Sequence, residues 1–279
     1  MKLTKIFITL SVVAGLVFSC NRDETTTTDT TTAKENVETE ATADKVTDTN
    51  VDLAMDFATT FEDTFSLKSG GHHPDYPCAT VTVTSNNGAF PKTITVDFGT
   101  GCTDPRGITR KGKIIMTVTN KLFIPGASIT VTEDNFYVNN NKVEGEMVLT
   151  NTTTDLATPS FSKVITNGKI TREDASYFTF TSSRKWKMVE GVSTPKYIWD
   201  DVWEIFEGNQ NINRSNGTYF TSTIKTSLIK KNTCHFISKG SIYMKGTKID
   251  GTLDFGNGDC DNTATFTDAN GNVTTITLK

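Results

Sequence analysis

From residue 79 onward, apolar and polar positions alternate with a period of two, in runs separated by short clusters rich in asparagine and glycine. Ile129-Thr130-Val131-Thr132 and Thr218-Tyr219-Phe220-Thr221 are typical. Such alternation turns one face of a strand to a core and leaves the other wet. It predicts strands near 79–85, 92–98, 112–120, 127–138, 142–151, 160–171, 176–189, 196–206, 218–229, 234–244, 247–255, 262–267 and 272–278. Asn86-Asn87-Gly88, Asn139-Asn140-Asn141, Asn167-Gly168, Asn216-Gly217 and Ala269-Asn270-Gly271-Asn272 supply the positive φ angles of tight turns at little steric cost. Connections this short force antiparallel neighbours. The expected fold is therefore all-β: a large antiparallel meander, built as one curved sheet or as a two-sheet sandwich.

Before the strands the period changes. Leu53, Phe57, Phe61 and Phe65 recur every four residues, with Ala54 and Ala58 beside them, which predicts one short helix over 51–67 ended by Gly70-Gly71. The helix packs its apolar stripe on the sheet. If it closes the concave face of a single curved sheet, the arrangement resembles the half-barrels of lipoprotein carriers.

The N-terminus reads as an address. Lys2 and Lys5 precede an apolar run from Ile6 to Phe18, a charged region and a hydrophobic region too short to span a bilayer. Val17-Phe18-Ser19-Cys20 resembles a bacterial lipobox, so residues 1–19 are a lipoprotein signal peptide and Cys20 is the lipidated first residue of the mature chain. The chain is then partnered with a membrane through its anchor. Asn21-Arg22-Asp23-Glu24 resembles the export signal that sends Bacteroidota lipoproteins to the outer face of the outer membrane. From Asn21 to Asn50 there are 11 threonines, eight acidic and three basic residues and no aromatics, a composition that predicts a disordered tether over 20–50. Residues 51–279 form the single β domain. The net charge of −4 becomes −6 once Lys2 and Lys5 are removed, which excludes nucleic acid as a natural partner.

A duplication runs through that domain. Thr95-Val96-Asp97-Phe98-Gly99-Thr100-Gly101-Cys102 returns as Thr252-Leu253-Asp254-Phe255-Gly256-Asn257-Gly258-Asp259-Cys260, in copies spanning about 78–105 and 234–262. Each copy has a second cysteine upstream, Cys78 and Cys234, at separations of 24 and 26 residues. With Cys20 lipidated, the remaining four cysteines of an exported chain form two disulfides. Pairing Cys78 with Cys102 and Cys234 with Cys260 staples each copy internally. A crossed pairing such as Cys78 with Cys260 would staple the copies together.

Three places carry candidate chemistry. Along an unbroken strand, Trp199, Asp201 and Trp203 share one face and offer a stacking ledge for a glycan; an interruption at Asp200-Asp201 would make this a core strand instead. Asn257, Asp259 and Asp261 place oxygen ligands at alternate positions, as a calcium loop begins, but the glycine and glutamate that complete such a loop are missing. His72-His73-Pro74-Asp75 combines metal-ligating types, although adjacent side chains of an extended segment point apart. The third histidine, His235, lies in a predicted strand and reads as a cross-strand neighbour. No nucleophile elbow, zinc-protease helix or phosphate loop occurs, and no catalytic residue is assigned.

The paired Phe-Gly-x-Gly-Cys-like segments, the Asp200-Asp201-Val202 step and the closing Gly258-Asp259-Cys260-Asp261-Asn262 resemble a widespread family of Bacteroidota outer-membrane lipoproteins. The likeness covers Cys78 to Leu278. It implies location and fold and transfers no catalytic residue. The expectation is a tethered cell-envelope lipoprotein acting as a non-catalytic binding or structural module, with a glycan or hydrophobic ligand. A lipid or lipoprotein carrier and a carbohydrate-active hydrolase are the alternatives. Metabolic labelling with palmitate tests the anchor: label should appear on the wild-type protein and vanish from Cys20→Ser, and label persisting in that variant refutes the lipobox assignment.

Overall fold

The computed structural model describes residues 30–64, 67–194 and 197–278, with the side chains of Thr30 and of 67–72 left undescribed. The lipobox and Arg22-Asp23-Glu24 lie outside the described residues. Helix α1 (Thr30–Thr60) is followed by fifteen strands: β1 (Leu67–His73), β2 (Tyr76–Asn86), β3 (Ala89–Asp97), β4 (Cys102–Thr103), β5 (Thr109–Val118), β6 (Ser128–Val138), β7 (Asn141–Asn151), β8 (Ser160–Thr171), β9 (Tyr177–Glu190), β10 (Val202–Arg214), β11 (Tyr219–Lys231), β12 (Lys239–Gly246), β13 (Ile249–Asn257), β14 (Thr263–Asp268) and β15 (Val273–Thr277). The strands make one open antiparallel sheet in chain order, with β1 and β15 at its edges and β4 attached beside β5. Of the two predicted architectures, the curved single sheet is the one that forms.

The helix is where the structure departs most from expectation. It is 31 residues long, not short, and it begins inside the segment expected to be a tether. From Val46 to Thr59 all fourteen consecutive residues are buried, so the helix has no wet face there. A helix enclosed on every side buries its polar side chains along with its apolar ones, so the polar ones need partners. A sheet of this many strands curls, and here it curls round α1.

Threonine is a poor helix former, and a Thr-rich segment of this kind would not be helical alone. Enclosure changes the balance. The hydroxyls of Thr39, Thr42, Thr49 and Thr59 donate to the carbonyl oxygens four residues back, at 2.8, 2.7, 2.9 and 2.9 Å, so their polar atoms enter the interior satisfied. The helix stops at Thr60 rather than 67. Just past it, the ammonium of buried Lys92 donates to the carbonyl oxygens of Glu62 and Thr64, cations being favourable at a helix C-terminus.

The predicted strands recur with small shifts, and three differences have local causes. Asn167-Gly168 is not a hairpin but a bulge within β8, with Asn167 at φ 52° and the register shifting between Ile165 and Gly168. The strand expected over 196–206 is broken by a 3-10 turn, Ile198–Asp200, and starts only at Val202. Residues 232–238 form a connection, so β12 begins at Lys239 and His235 stands exposed in that loop rather than in a strand.

Both disulfides close within their own copy, with Cα atoms 5.5 Å apart for Cys78–Cys102 and 5.2 Å for Cys234–Cys260. The copies also turn alike. Asp97 Oδ1 accepts the N–H of Gly99 at 2.9 Å, and Asp254 Oδ1 accepts that of Gly256 at 2.8 Å. Gly99 and Gly256 have φ 56° and 88°, which glycine adopts without strain, and Phe98 and Phe255 point into the core.

Leu53, fully buried in the C-terminal half of α1, reports on the enclosure. Leu53→Ala should lower stability by about 2–5 kcal/mol in urea unfolding, the range for a buried leucine truncated in a packed core. A loss below about 0.5 kcal/mol would mean that the helix is not enclosed.

Candidate functional site

The most concentrated chemistry in the molecule is inside it. Glu40, Asp44, Asp48, Asp52 and Asp56 recur every four residues along α1 and are all buried. Each carboxylate meets a cation or histidine delivered by the wall. The inward face of β9 is apolar except for Ser182 and Arg184, and Arg184 Nη2 lies 3.1 Å from Glu40 Oε1 and 2.9 Å from Asp44 Oδ1. Lys163 of β8 donates to Asp48 at 2.8 Å. Lys230 of β11 and Arg106 of the β4–β5 connection donate to the two oxygens of Asp52, at 2.7 and 3.0 Å. Ser222 adds a donor to Glu40 at 2.6 Å, and Gln210 one to Asp44 at 3.4 Å. A buried pair, Asp104–Arg110, lies beside this ladder at 2.8 Å, and Arg110 also donates to the carbonyl oxygen of Thr49.

Trp186 lies under this array, with the ammonium groups of Lys163 and Lys230 4.9 and 5.9 Å from its ring. The cavity beside the ladder, between Asp44, Asp48, Arg106, Lys230, Phe236 and Leu278, holds only about 20 Å³, room for one water. The interior is thus a structural ion-pair array rather than a ligand chamber.

The last rung has a different character. His73 Nε2 is 3.2 Å from Asp56 Oδ1, while His73 Nδ1 accepts the backbone N–H of Asp75 at 3.2 Å. Asp75 Oδ2 in turn accepts the indole N–H of Trp199 at 3.0 Å. Asp56, His73 and Asp75 are the one group of three metal-ligating side chains that converges among the described residues. The proton roles decide against a metal there. With Nδ1 acting as an acceptor, Nε2 carries the proton and points it at Asp56, leaving no ring lone pair for an ion. The imidazole stacks on Phe57, ring centres 4.6 Å apart, and joins the helix to the β1–β2 turn.

The glycan ledge is not formed. Trp203 is 1% exposed and packs edge-on against Phe161 and Trp186, with centres 5.8 and 6.1 Å apart. Trp199 sits in the 3-10 turn with the Arg106 guanidinium 4.9 Å from its ring. Asp201 is buried against Gly191, where a Cβ would come within 2.1 Å of its Oδ1. The interruption at the two aspartates, the other reading of this stretch, is what the chain adopts. Nor do the calcium-loop residues converge. Asn257, Asp259 and Asp261 are exposed, Asp261 Oδ1 accepts the N–H of Thr263 at 2.8 Å, and no third histidine, cysteine or carboxylate joins the two aspartates among the described residues.

The ligand-sized recess lies where sequence reasoning had not looked. At the C-terminal end of α1, a cleft of about 370 Å³ is lined by Phe123 and Ile124 from the β5–β6 loop, Leu156 and Pro159 from the β7–β8 loop, and Val192 beyond β9. Leu156 is 73% exposed and Ile124 44%. Buried Asn151 ties these loops together: its side-chain amide donates to Leu122 O at 2.9 Å, its Oδ1 accepts the N–H of Thr153 at 2.9 Å, and its carbonyl accepts that of Gly126 at 2.9 Å. Phe123 rests edge-on against Phe161, which fixes the cleft floor to the core. The sequence signal was available as apolar residues stranded in turn-rich connections.

The chain was compared with protein-family models, curated proteins and solved structures, and none matches it.

Burial raises several carboxyls. Desolvation, then the neighbouring Asp44, pushes Glu40 up to about 7. Desolvation and Glu144 push Glu133 up to about 8, and desolvation with Asp52 and Asp200 pushes Asp201 up to about 7. A carboxyl raised in the folded state holds its proton more tightly there than when unfolded, so its contribution is full at low pH and is lost as pH rises through the folded value. The thermal midpoint should therefore fall between pH 5.5 and pH 8.5, and Glu133→Gln should flatten that slope. A midpoint that rises over this window would contradict the assignment.

Proposed function

We propose that this protein is a tethered cell-envelope lipoprotein, anchored through Cys20 at the outer membrane, that works as a non-catalytic binding module for a hydrophobic ligand. The apolar cleft at the end of α1 carries the reading. Its five apolar side chains stand on three loops, two of them tied together by Asn151, the usual placement of a recognition site on a rigid scaffold. Its volume of about 370 Å³ lies in the range of small-molecule pockets.

The alternatives fit less well. The sheet and helix arrangement that resembles a half-barrel carrier does form, but the interior cavity beside α1 holds only about 20 Å³, too little for a lipid chain. A hydrolase needs carboxylates that reach substrate, whereas Glu40, Asp44, Asp48 and Asp52 are consumed in ion pairs around a cavity the size of a water. Two disulfides and the lipobox are consistent with export. The helix of 31 residues is roughly 45 Å long, and the cleft lies at its C-terminal end.

The test is binding of an apolar fluorophore such as anilinonaphthalene sulfonate to the soluble Cys20→Ser chain. Leu156→Asp in that background should weaken it at least tenfold with an unchanged thermal midpoint, since Leu156 is mostly exposed. Affinity unchanged by Leu156→Asp and by Ile124→Asp would remove the cleft as the ligand seat.

A further inference from the structure

A second recess has the opposite chemistry. Thr42, Lys45, Val46 and Thr49, at spacings of three and four along α1, form one wall of a cleft of about 250 Å³. Asn139 and Asn141 of the β6–β7 turn face them, Ile108 and Val138 make the floor, and Arg172 closes the end beyond β8. The turn is firmly held: Asn139 and Asn140 take φ 46° and 68°, and Asn139 Oδ1 accepts the N–H of Thr109 at 2.9 Å.

The two cations of this cleft stand apart from those of the interior. Arg184, Lys163, Lys230, Arg106 and Arg110 each contact a carboxylate, whereas neither Lys45 nor Arg172 forms an ion pair with a described one. Both are half-buried. The Lys45 ammonium rests 4.8 Å from the Phe236 ring, and burial alone lowers its pKa, with no carboxylate offsetting it. The Arg172 guanidinium lies 5.2 Å from the Phe178 ring and donates to Thr39 Oγ1 at 3.3 Å. Burial and then Arg214 lower its pKa, and the fields of Asp174, Glu38 and Glu35 only partly offset them. Arg214 is itself taken by Glu35, at 3.0 Å.

We propose that this cleft binds the phosphate group of a phosphomonoester, gripped by Lys45 and Arg172, with the organic body of the ligand against Val46, Ile108 and Val138. A guanidinium fork beside an ammonium point charge matches a doubly charged tetrahedral anion. The recess is larger than one oxyanion, and its floor is apolar, so the ligand carries more than the phosphate. This site is separate from the apolar cleft and does not depend on that reading.

Titration of the soluble Cys20→Ser chain with glycerol 3-phosphate, followed by calorimetry and by amide chemical shifts, tests the proposal on a folded protein. Shifts should concentrate at Thr42, Asn139 and Asn141, and the dissociation constant should rise at least tenfold in Lys45→Met and in Arg172→Met. Lys111→Met, a cation held on the Tyr137 ring outside the cleft, should leave it unchanged. Co-flotation with phosphatidic acid vesicles is the second arm. Binding there alone, weakened by the same two substitutions, supports the site with a lipid headgroup as the source. No binding in either arm, or binding indifferent to Lys45 and Arg172, overturns the proposal.

Discussion

The buried charge ladder is the constraint on which the rest of this structure depends. Five acidic side chains placed every fourth residue inside a sheet curled round them are tolerable only because the wall supplies Arg184, Lys163, Lys230, Arg106 and His73 at matching positions. An unpaired ion in a protein interior costs several kcal/mol even after relaxation, so the helix and the sheet cannot exchange partners freely. The pairs themselves contribute little net stability compared with an apolar filling of equal volume. What they do is set register. Arg184 serves two carboxylates and Lys163 one, so rotating α1 about its axis would separate these charges from their partners.

That division of labour explains the composition of both partners. The hydrophobic work is done by Leu53, Ala54, Phe57 and Ala58 of the helix and by inward-facing wall residues such as Tyr76, Phe161, Trp186 and Trp203, all members of one buried cluster, with the rings of Phe57 and Tyr76 in tilted contact. Threonines, which lower helix propensity, are tolerated because the enclosure holds the helix and their hydroxyls bond back along it. The helix is thus a product of the sheet, and the sheet in turn has no core without the helix.

Filling the interior pushes ligand recognition to the margins. Two recesses among the described residues lie at the end of α1 and along its middle, each lined in part by loop or turn residues. One is largely apolar and braced by Asn151, the other lined by two cations, Lys45 and Arg172, that form no ion pair with a described carboxylate. The duplicated Asp-Phe-Gly units do neither job. Each makes the same aspartate-to-glycine turn and ends in a disulfide that closes its own copy, which is a staple rather than a site.

Strand positions, turn chemistry and the antiparallel meander were legible from residues alone, because period-two alternation and Asn-Gly turns are local properties that each segment carries regardless of its neighbours. The cysteine separations were also local and pointed to the observed pairing. The long helix was not legible as such: composition made residues 30–50 look unable to bury themselves, and only a surrounding wall of cations makes burial of Asp44 and Asp48 possible. The acid-every-four spacing from Glu40 to Asp56 was written in the chain, but a stripe of carboxylates on a helix reads as a solvated face until its partners are known. Those partners sit 17 to 178 residues away, from Asp56 with His73 to Asp52 with Lys230. The stretch from Trp199 to Trp203 left two readings open for the same reason, since whether an aromatic residue faces ligand or core depends on which side the sheet wraps, and that is decided by contacts no local pattern encodes.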